Sequence, residues 1–427
     1  MPNAVGYVPH QKESKLFYSR KRVCGTFQVA FKNARSTIDY KDRKNKLNNK
    51  VFPQNITKGF CFVCYIYTVF KSNTLTFMIP SDLKNKYPTL KDCTYLNTAY
   101  TGVVSSSLLE WRRAADQNYA VQVDQFKSNQ ALALETNAQL QVARLMHTEV
   151  DQVFLASSCS VGLQAFLFKI PKDYRFLLLK DDYPAITQML ADHQFDHTEI
   201  SLQNEVEVSV LAELRKNKSE VFALSAVQYN SGLLFDMEFL HTIKKEFPSL
   251  LILVDGTQLI GAEPFDFDQS AVDGIFGSGY KWLLASYGNG FMCLKKSLLS
   301  QLNITKEDVL ELLDRGHKSP LAMGSLGFAI EELLSYDIEA LFKKKKELAV
   351  YFFEALKKRN LLEGFIADRK EHSSTFTLKI SNAVHDALIK ENIRCVKRGV
   401  GVRVSVHFYN TRKEVDHLLN VIDQATK

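Results

Sequence analysis

Three short segments combine residue types that could do chemistry together. Segment 156–162 (Ala-Ser-Ser-Cys-Ser-Val-Gly) leads from an apolar run into a helical pattern, and the free N–H groups of a helix start suit a phosphate. Segment 254–258 (Val-Asp-Gly-Thr-Gln) puts a carboxylate directly after another apolar run. Segment 277–282 (Gly-Ser-Gly-Tyr-Lys-Trp) puts an amine in a turn whose glycines let a ligand approach the backbone closely. Taken singly, a helix cap, a turn and a solvated lysine also explain these residues.

The elements that must position these segments alternate between short apolar runs and helical patterns. The candidate strands are Gln152–Ala156, Arg175–Leu179, Thr198–Leu202, Val221–Ala226, Leu250–Val254, Gly274–Gly277 and Gly290–Leu294. The candidate helices between them are Val161–Lys169, Ala185–His193, Val206–Lys216 and Met237–Phe247. Strands without strict alternation, separated by helices, predict an α/β fold with a buried, mostly parallel sheet. Ligands bind at the carboxyl ends of such strands, which is where the three segments fall.

Further elements are predicted before and after this alternation. Two helices precede it, Ser105–Asn118 and Asn129–His147. The last third contains a long charged helix, two strands and two further helices: Asp337–Arg359, Ser374–Ile380, Val400–Phe408, Ala383–Asn392 and Arg412–Ala425. We therefore predict a large α/β domain over residues 78–320 and a smaller C-terminal α+β domain over residues 321–427.

The positive charge of the chain is concentrated at its start. Of the 427 residues, with a net charge of +7, residues 1–77 hold 14 Lys+Arg and three acidic residues, so the rest carries a net charge of −4. The basic balance is therefore no sign that the body binds nucleic acid. We expect residues 1–77 to be a disordered extension, or translated sequence upstream of a start at Met78; a nucleic-acid-binding arm or a targeting leader is the alternative.

Composition points to a soluble globular protein. Apolar residues make up 46% and charged residues 24% of the chain, as in ordinary globular domains. The seven cysteines show no disulfide spacing, and the pair Cys61 and Cys64 is a lone CxxC, for which chance is a better explanation than zinc. The apolar run from Gly59 to Phe70 is too short to cross a bilayer. We expect a cytoplasmic protein with no metal, nucleic-acid or membrane partner.

The order of the three segments is the order that pyridoxal phosphate (PLP) requires: a phosphate cup, a carboxylate and a lysine. From about Tyr95 to Ala425 the chain resembles the class V aminotransferase family, the relatives of cysteine desulfurases, kynureninases and isopenicillin N epimerase. The most specific part of the resemblance is Val254–Gln258 combined with Ser278–Lys281, and segment 96–99 (Leu-Asn-Thr-Ala) is also typical. The resemblance implies the PLP-dependent transferase fold type I, with a mostly parallel seven-stranded sheet flanked by helices, and a homodimer.

The resemblance also implies roles for the charged residues. Lys281 would form a Schiff base with the cofactor aldehyde, which needs a neutral amine and hence a lowered pKa. Asp255 would pair with the pyridinium nitrogen and keep the ring able to accept electrons. Gln258 would donate a hydrogen bond to the phenolic oxygen of the ring.

Further cofactor contacts follow from the same resemblance. The backbone N–H groups of Cys159 and Ser160 would hold the phosphate, helped by Ser278 and Tyr280. Many relatives have His where this chain has Tyr280, which can donate a hydrogen bond but carries no positive charge. Tyr183 falls where the family stacks an aromatic or His ring on the cofactor; a buried core tyrosine is the alternative.

The substrate contacts implied by the resemblance lie at two places in the chain. Arg403 matches the arginine that grips the substrate carboxylate in a fork, so an α-amino or α-keto acid is expected; a solvated arginine is the alternative. Asn97, Ala99, Tyr229 and Asn230 would edge the substrate site.

The chain departs from the family pattern at two places. The first departure argues against a cysteine desulfurase, and the second concerns the contact between subunits. Desulfurases carry a nucleophilic Cys on a loop just before the carboxylate-binding arginine, but there is no room for such a loop between Gly399 and Arg403, and Cys395 falls in a predicted strand. Segment 316–319 lacks the Gly-Thr-Pro pattern that family dimers offer to the neighbouring phosphate, so no role is assigned to His317.

The sequence thus predicts a PLP-dependent enzyme that acts on a small amino acid, with transamination preferred. Lys281, once released by the substrate, would move the Cα proton. A lyase or an epimerase of the same family is the alternative, as is a non-catalytic PLP-fold binding protein.

Overall fold

The computed structural model describes residues 83–426. The predictions for residues 1–77, including the pair Cys61 and Cys64, lie outside these residues and stay predictions.

The strands of the described residues are short and most are buried. In chain order they are β1 (Thr94–Tyr95), β2 (Val153–Ala156), β3 (Phe176–Leu179), β4 (His197–Ile200), β5 (Val221–Ser225), β6 (Leu251–Asp255), β7 (Gly274–Ser278), β8 (Gly290–Leu294), β9 (Thr375–Leu378), β10 (Ile393–Arg394), β11 (Val396–Arg398) and β12 (Gly401–Ser405).

Seven of these strands form one sheet in the order β2-β8-β7-β6-β5-β3-β4. Strands β3 to β7 pair in parallel, whereas β8 runs antiparallel to both of its neighbours. Every residue of β2, β3, β5, β7 and β8 is buried, because helices cover both faces, and the edge strand β4 is mainly exposed. The predicted fold class, a mostly parallel seven-stranded sheet flanked by helices, is confirmed.

The helices lie before, between and after the strands. They are α1 (Ser106–Gln122), α2 (Asp124–Phe126), α3 (Leu132–Leu145), α4 (Cys159–Leu167), α5 (Pro184–Asp192), α6 (Val206–Lys216), α7 (Phe239–Glu246), α8 (Lys296–Gln301), α9 (Lys306–Leu313), α10 (Pro320–Leu334), α11 (Ile338–Lys358), α12 (Gly364–Ala367), α13 (Asn382–Lys390) and α14 (Arg412–Ala425). A π-helical segment, Lys127–Ala131, joins α2 to α3.

Helix α10 is an element that the apolar pattern alone does not predict. It begins after Ser319, whose side chain caps the N–H of Ala322, and has Pro320 in its first turn. Nine of its 15 residues are buried, so it lacks the polar face that marks an amphipathic helix. It packs against α3 and against α1, where Gly324 leaves room for the ring of Trp111.

The chain after α10 builds two small sheets. Strands β11, β12 and β9 form an antiparallel sheet in that order, and β10 pairs in parallel with β1. The pairing of β1 ties the start of the described chain to its last part. The division into domains at residues 78–320 and 321–427 stays a prediction.

No helix of the part of the chain that the structure describes is long and apolar enough to cross a bilayer.

Candidate active site

Lys281 lies in the turn that follows β7, and only 8% of it is exposed. Two aromatic rings flank its amine: Nζ lies 5.7 Å from the ring centre of Tyr183 and 5.4 Å from that of Tyr280. The turn lies at the carboxyl end of a central strand, where the sheet opens to ligands. The amine is thus buried, but it lies at the edge of the sheet where ligands bind in open α/β folds.

The environment of Lys281 favours its neutral form. Burial lowers the pKa of the Lys281 amine to about 8, and the positive charge of Arg403 acts in the same direction, while Asp255 opposes the shift. A neutral amine is the form that attacks an aldehyde. The lowered pKa that the sequence argument required is therefore present.

Asp255 is the last residue of β6, and the register pairs it with Ser225 on one side and Phe276 on the other. Its Oδ1 accepts a hydrogen bond of 2.8 Å from the backbone N–H of Thr257. Its charge acts on Lys281, so the two groups predicted to share one cofactor do face a common space.

The start of α4 carries the groups that are predicted to form the phosphate cup. The side chain of Ser158 accepts from the N–H of Val161, and the N–H of Cys159 donates to Oγ of Ser278 at 2.9 Å. The N–H of Ser160 has no partner among residues 83–426. The hydroxyl of Ser278 accepts from the cup and keeps its own proton to donate, so donors from two elements converge there.

The thiol of Cys159 lies below this cup. It is buried beside Asp255 and Thr257, and burial raises its pKa well above the ordinary value. It therefore stays protonated and inert as a nucleophile.

Gln258 ties the start of the described chain to the lysine turn. Its Nε2 donates to the carbonyl of Ala99 at 2.8 Å, and its Oε1 accepts from the indole N–H of Trp282 at 2.7 Å. The backbone N–H of Ala99 in turn donates to Ser405 in β12 at 3.0 Å. One N–H of the Gln258 amide remains to meet a ligand.

Gly102 completes the closure of the segment around Asn97 over the turn. Its N–H donates to the carbonyl of Tyr280 at 2.8 Å, and a Cβ at this position would overlap the carbonyl oxygen of Lys281. Glycine is needed here because the two backbones touch.

Tyr183 stands over a buried carboxyl group. Asp182 accepts from the N–H of Tyr183 at 2.6 Å and from the N–H of Ser225 at 2.8 Å. Burial raises the pKa of the Asp182 carboxyl to about 6. The half-buried ring of Tyr183 packs edge-on against Tyr229, with ring centres 5.3 Å apart. The tyrosine that the resemblance singles out is therefore held in place from below and from the side.

Arg403 lies in the middle of β12 and is 2% exposed. Its Nη1 donates to the carbonyl of Tyr229, while its Nε has no partner among the described residues. Burial, and next the charge of Arg398, lower the pKa of Arg403 to about 10. A desolvated guanidinium with a free donor is ready to bind a carboxylate.

The structure thus brings most of the predicted site residues together. Cys159, Tyr183, Asp255, Tyr280 and Arg403 all act on one another or on Lys281, and Asn230 lines an adjoining open cleft of about 670 Å³. His317, to which no role was assigned, is exposed on the loop before α10.

Comparisons with known proteins identify the family. The family model for aminotransferase class V matches residues 103–418. The chain belongs to the class V aminotransferase family. It is 22% identical over 401 residues to cysteine desulfurase CsdA of Escherichia coli K12, an alignment that covers 81% of this chain and 97% of CsdA. It is 23% identical over 378 residues to the uncharacterized aminotransferase YcbU of Bacillus subtilis 168, with 82% and 98% covered.

A solved structure shows the same fold. A variant of C-DES with glycine covalently linked to its PLP cofactor superposes with a TM-score of 0.69 at 16% identity, covering 80% of this chain and 99% of C-DES. The predicted resemblance and the fold type I architecture are confirmed. The cofactor of the class V family, and of this chain, is PLP, as expected.

The buried polar atoms of this class V member fit PLP, independently of the comparison with relatives. Buried polar atoms in the segments around Lys281 lack partners within residues 83–426: Oδ1 of Asn97, both amide atoms of Gln228, Oγ1 of Thr257 and Nε of Arg403. Orphaned buried groups of this kind are costly in a closed core, so a polar ligand is expected to satisfy them.

Two residues of the site were missed in the sequence. Gln228 follows β5, is fully buried, and lies beside the Asp182 carboxyl without hydrogen-bond geometry. It obeys the same rule as Asp255, a polar residue after a buried strand, and could have been found that way. Arg398 ends β11 and acts on both Lys281 and Arg403. Arg398 could have been found in the sequence because it lies close to Arg403 along the chain.

Proposed function

We propose that this class V enzyme transaminates a small amino acid with PLP held covalently on Lys281. The observation that carries the proposal is the Lys281 amine, buried at the carboxyl edge of the sheet with its pKa lowered to about 8, sharing a space with Asp255. Burying an amine lowers the stability of the fold, and a buried amine with a lowered pKa is typical of a functional site.

The residues that would hold the cofactor come from separate elements. Ser160, Ser278 and the start of α4 would take its phosphate, Tyr183 would cover its ring, and Asp255 would meet its ring nitrogen. Once bound, PLP supplies an electron sink for the negative charge that develops at Cα.

Lys281 also supplies the proton transfer. Released by the amino substrate, its amine lies on one face of the site and takes the proton from Cα. Transamination needs a single base that takes the proton and returns it on the same face. The Lys281 amine could meet that need by itself, and for this reason transamination is proposed first.

Arg403 would orient the substrate by its α-carboxylate. The guanidinium is buried, and its free Nε belongs to the fork that matches two carboxylate oxygens. Tyr229 accepts from the opposite side of the group and fixes its direction. An α-amino acid or an α-keto acid is the substrate class that such a fork selects.

The cysteines argue against desulfurisation. Strands β11 and β12 are joined by a tight hairpin turn at Gly399 and Val400, so no long loop precedes Arg403. Cys395 lies between β10 and β11 rather than within a strand, and burial raises its pKa to about 11. The pKa of each of the other described cysteines, Cys93, Cys159 and Cys293, is also raised by burial. None of the four described thiols is activated as a nucleophile.

A homodimer in the cytoplasm is part of this proposal. The free thiols of all four described cysteines suit a reducing compartment. The family resemblance is the support for the dimer.

The test begins with the cofactor. Purified protein supplied with PLP should turn yellow, and reduction with borohydride should fix the cofactor to a peptide that contains Lys281. Lys281→Ala should give no fixed cofactor. Lys244→Ala is the control, because Lys244 is paired with Asp273 on the amino-terminal side of the sheet. Protein that never takes up PLP, or that is labelled at another lysine, would refute the proposal.

The products of the loaded enzyme then decide the reaction. With an amino acid and a second keto acid, transamination yields a keto acid with its carbon skeleton intact and a new amino acid. Loss of the β-substituent with release of ammonia would show a lyase, and the appearance of the D-isomer would show an epimerase. A loaded protein that leaves every amino acid unchanged would be a binding protein.

A further inference from the structure

Two arginines lie on one face of the β11–β12 hairpin. Val396 pairs with Arg403 and Arg398 pairs with Gly401. Since side chains two residues apart in a strand share a face, Arg398 is on the same face as Val396 and is the diagonal neighbour of Arg403. Long side chains reach each other across such a diagonal. The charge of Arg398 is accordingly the strongest charged influence on Arg403.

Arg398 also faces the catalytic centre. It acts on Lys281 and on Tyr183, and its guanidinium carbon lies 5.6 Å from the ring centre of Tyr229. Tyr229 is also the residue whose carbonyl accepts from Arg403. The two guanidinium groups therefore stand around the same tyrosine, at the mouth of the site.

Neither arginine is neutralised by the protein. Nε of Arg398 and Nε of Arg403 are both buried without a partner, and within residues 83–426 neither group forms an ion pair with a carboxylate. The groups that most affect Arg403 are Arg398 and three tyrosines. Two like charges placed side by side repel each other. An anion bound between or beside the two guanidinium groups would offset this repulsion.

The two arginines differ in their surroundings. An α-carboxylate that sits in the fork of Arg403 satisfies the buried arginine. Arg398 is half-buried and borders the open cleft that Asn230 and Lys397 also line, whereas Arg403 does not line it. This cleft is polar and leaves space for a side chain that extends beyond Cα.

We propose that Arg398 reads a second carboxylate on the substrate, so that the site takes dicarboxylic amino acids such as glutamate or aspartate. This inference rests on the proposed function, since it extends the substrate beyond the group that Arg403 binds. Arg398 is a substrate-specificity residue, and it would leave the reaction at Cα unaltered.

The test compares substrates of equal length with and without the second charge. In the wild-type enzyme, kcat/KM for glutamate should exceed that for norvaline. Arg398→Gln should lower kcat/KM for glutamate about 10- to 100-fold, the effect of losing a charge-assisted hydrogen bond, and change that for norvaline less than about 3-fold. The matched control is Lys390→Gln, because Lys390 is exposed at the end of α13 and does not line this cleft.

Binding without turnover gives a second measurement. By calorimetry, glutarate should bind the wild-type protein more tightly than valerate, and Arg398→Gln should remove that difference. Equal losses for glutamate and norvaline would mean that both arginines hold one carboxylate and would overturn the inference. Equal binding of glutarate and valerate by the wild type would also overturn it. In both cases cofactor fixed on Lys281 would leave the proposed function standing. Protein that fixes no cofactor on Lys281 would refute the proposed function and, with it, this inference.

Discussion

At the scale of single residues, the site consists of groups that a stable core would avoid. Lys281 is buried with its pKa lowered to about 8, and Asp182 is buried with its pKa raised to about 6. Each shift means that the folded protein disfavours the charged form, so each costs stability near neutral pH. For Lys281 the cost is consistent with the proposed function, because a neutral amine is the form that attacks an aldehyde.

The cost of Lys281 can be measured by replacing it with the apolar side chain of similar length. In the cofactor-free protein at pH 7, Lys281→Met should raise the free energy of unfolding by up to about 3 kcal/mol, the equivalent of the lowered pKa. The unfolded chain binds the proton more tightly than the folded one. The penalty is therefore complete below pH 8 and disappears as pH rises through about 8 to 10.5.

Urea unfolding of both proteins between pH 7 and pH 10.5 checks this expectation. The stability of the wild type should climb relative to the variant across that range. A constant difference between the two proteins, or a destabilised variant at pH 7, would show that burial does not lower the pKa of the amine. Lys343→Met, on the exposed side of α11, is the control and should give no pH-dependent difference.

At the scale of elements, the site depends on turns and chain ends that meet at one edge of the sheet. Strand β6 ends at Asp255, β7 leads into the Lys281 turn, and α4 begins opposite Ser278. The segment around Ala99 closes over them through Gln258 and Gly102. The geometry of the lysine is therefore set by backbone contacts between elements that are distant in sequence.

Gly102→Ala should disturb this closure more than its size suggests. The added Cβ would overlap the carbonyl oxygen of Lys281, which is backbone and cannot rotate away. We expect a loss of about 1–3 kcal/mol in the free energy of unfolding, together with weaker retention of the cofactor. Gly316→Ala is the matched control, since no atom lies near its Cβ position.

Thermal unfolding and equilibrium dialysis of the cofactor measure the two effects. If Gly102→Ala behaved like Gly316→Ala in both measurements, the segment and the turn would not be in contact in solution.

At the scale of the whole molecule, a buried ion pair joins the last part of the chain to the sheet. Nζ of Lys345 in α11 lies 2.5 Å from Glu263, which follows β6, and only 1% of the lysine side chain is exposed. Ser374 bonds to both groups. The amine also lies 5.9 Å from the ring centre of Trp282, the residue after Lys281 in the chain. The pair thus supports the site from beneath.

Breaking this pair should be more damaging than removing it. Glu263→Gln leaves the Lys345 charge buried and unpaired, so it should cost about 3–5 kcal/mol of unfolding free energy. The double variant Glu263→Gln/Lys345→Met should recover most of that loss. Lys346→Gln breaks an exposed pair with Glu371 and should cost less than about 1 kcal/mol. Chemical denaturation of the four proteins decides, and a double variant as unstable as the single one would contradict the expectation.

The sequence by itself predicted most strands and helices of the sheet and proposed the residues of the site. Asp255, Gln258, Ser278 and Lys281 stand where buried strands end, and that position is local information, because short apolar runs and the turns after them can be read along the chain. Helix α10 was not predicted, because most of its residues are buried and its sequence shows no amphipathic pattern.

The tertiary structure alone decided which groups meet. The contact of Gly102 with the lysine turn, the buried amide of Gln228 and the pairing of Arg398 with Arg403 join segments whose approach depends on the strand order and on the register of the hairpin. Desolvation is likewise a property of the folded interior. The sequence predicts that Lys281 needs a lowered pKa, but only the packing around Lys281 lowers it.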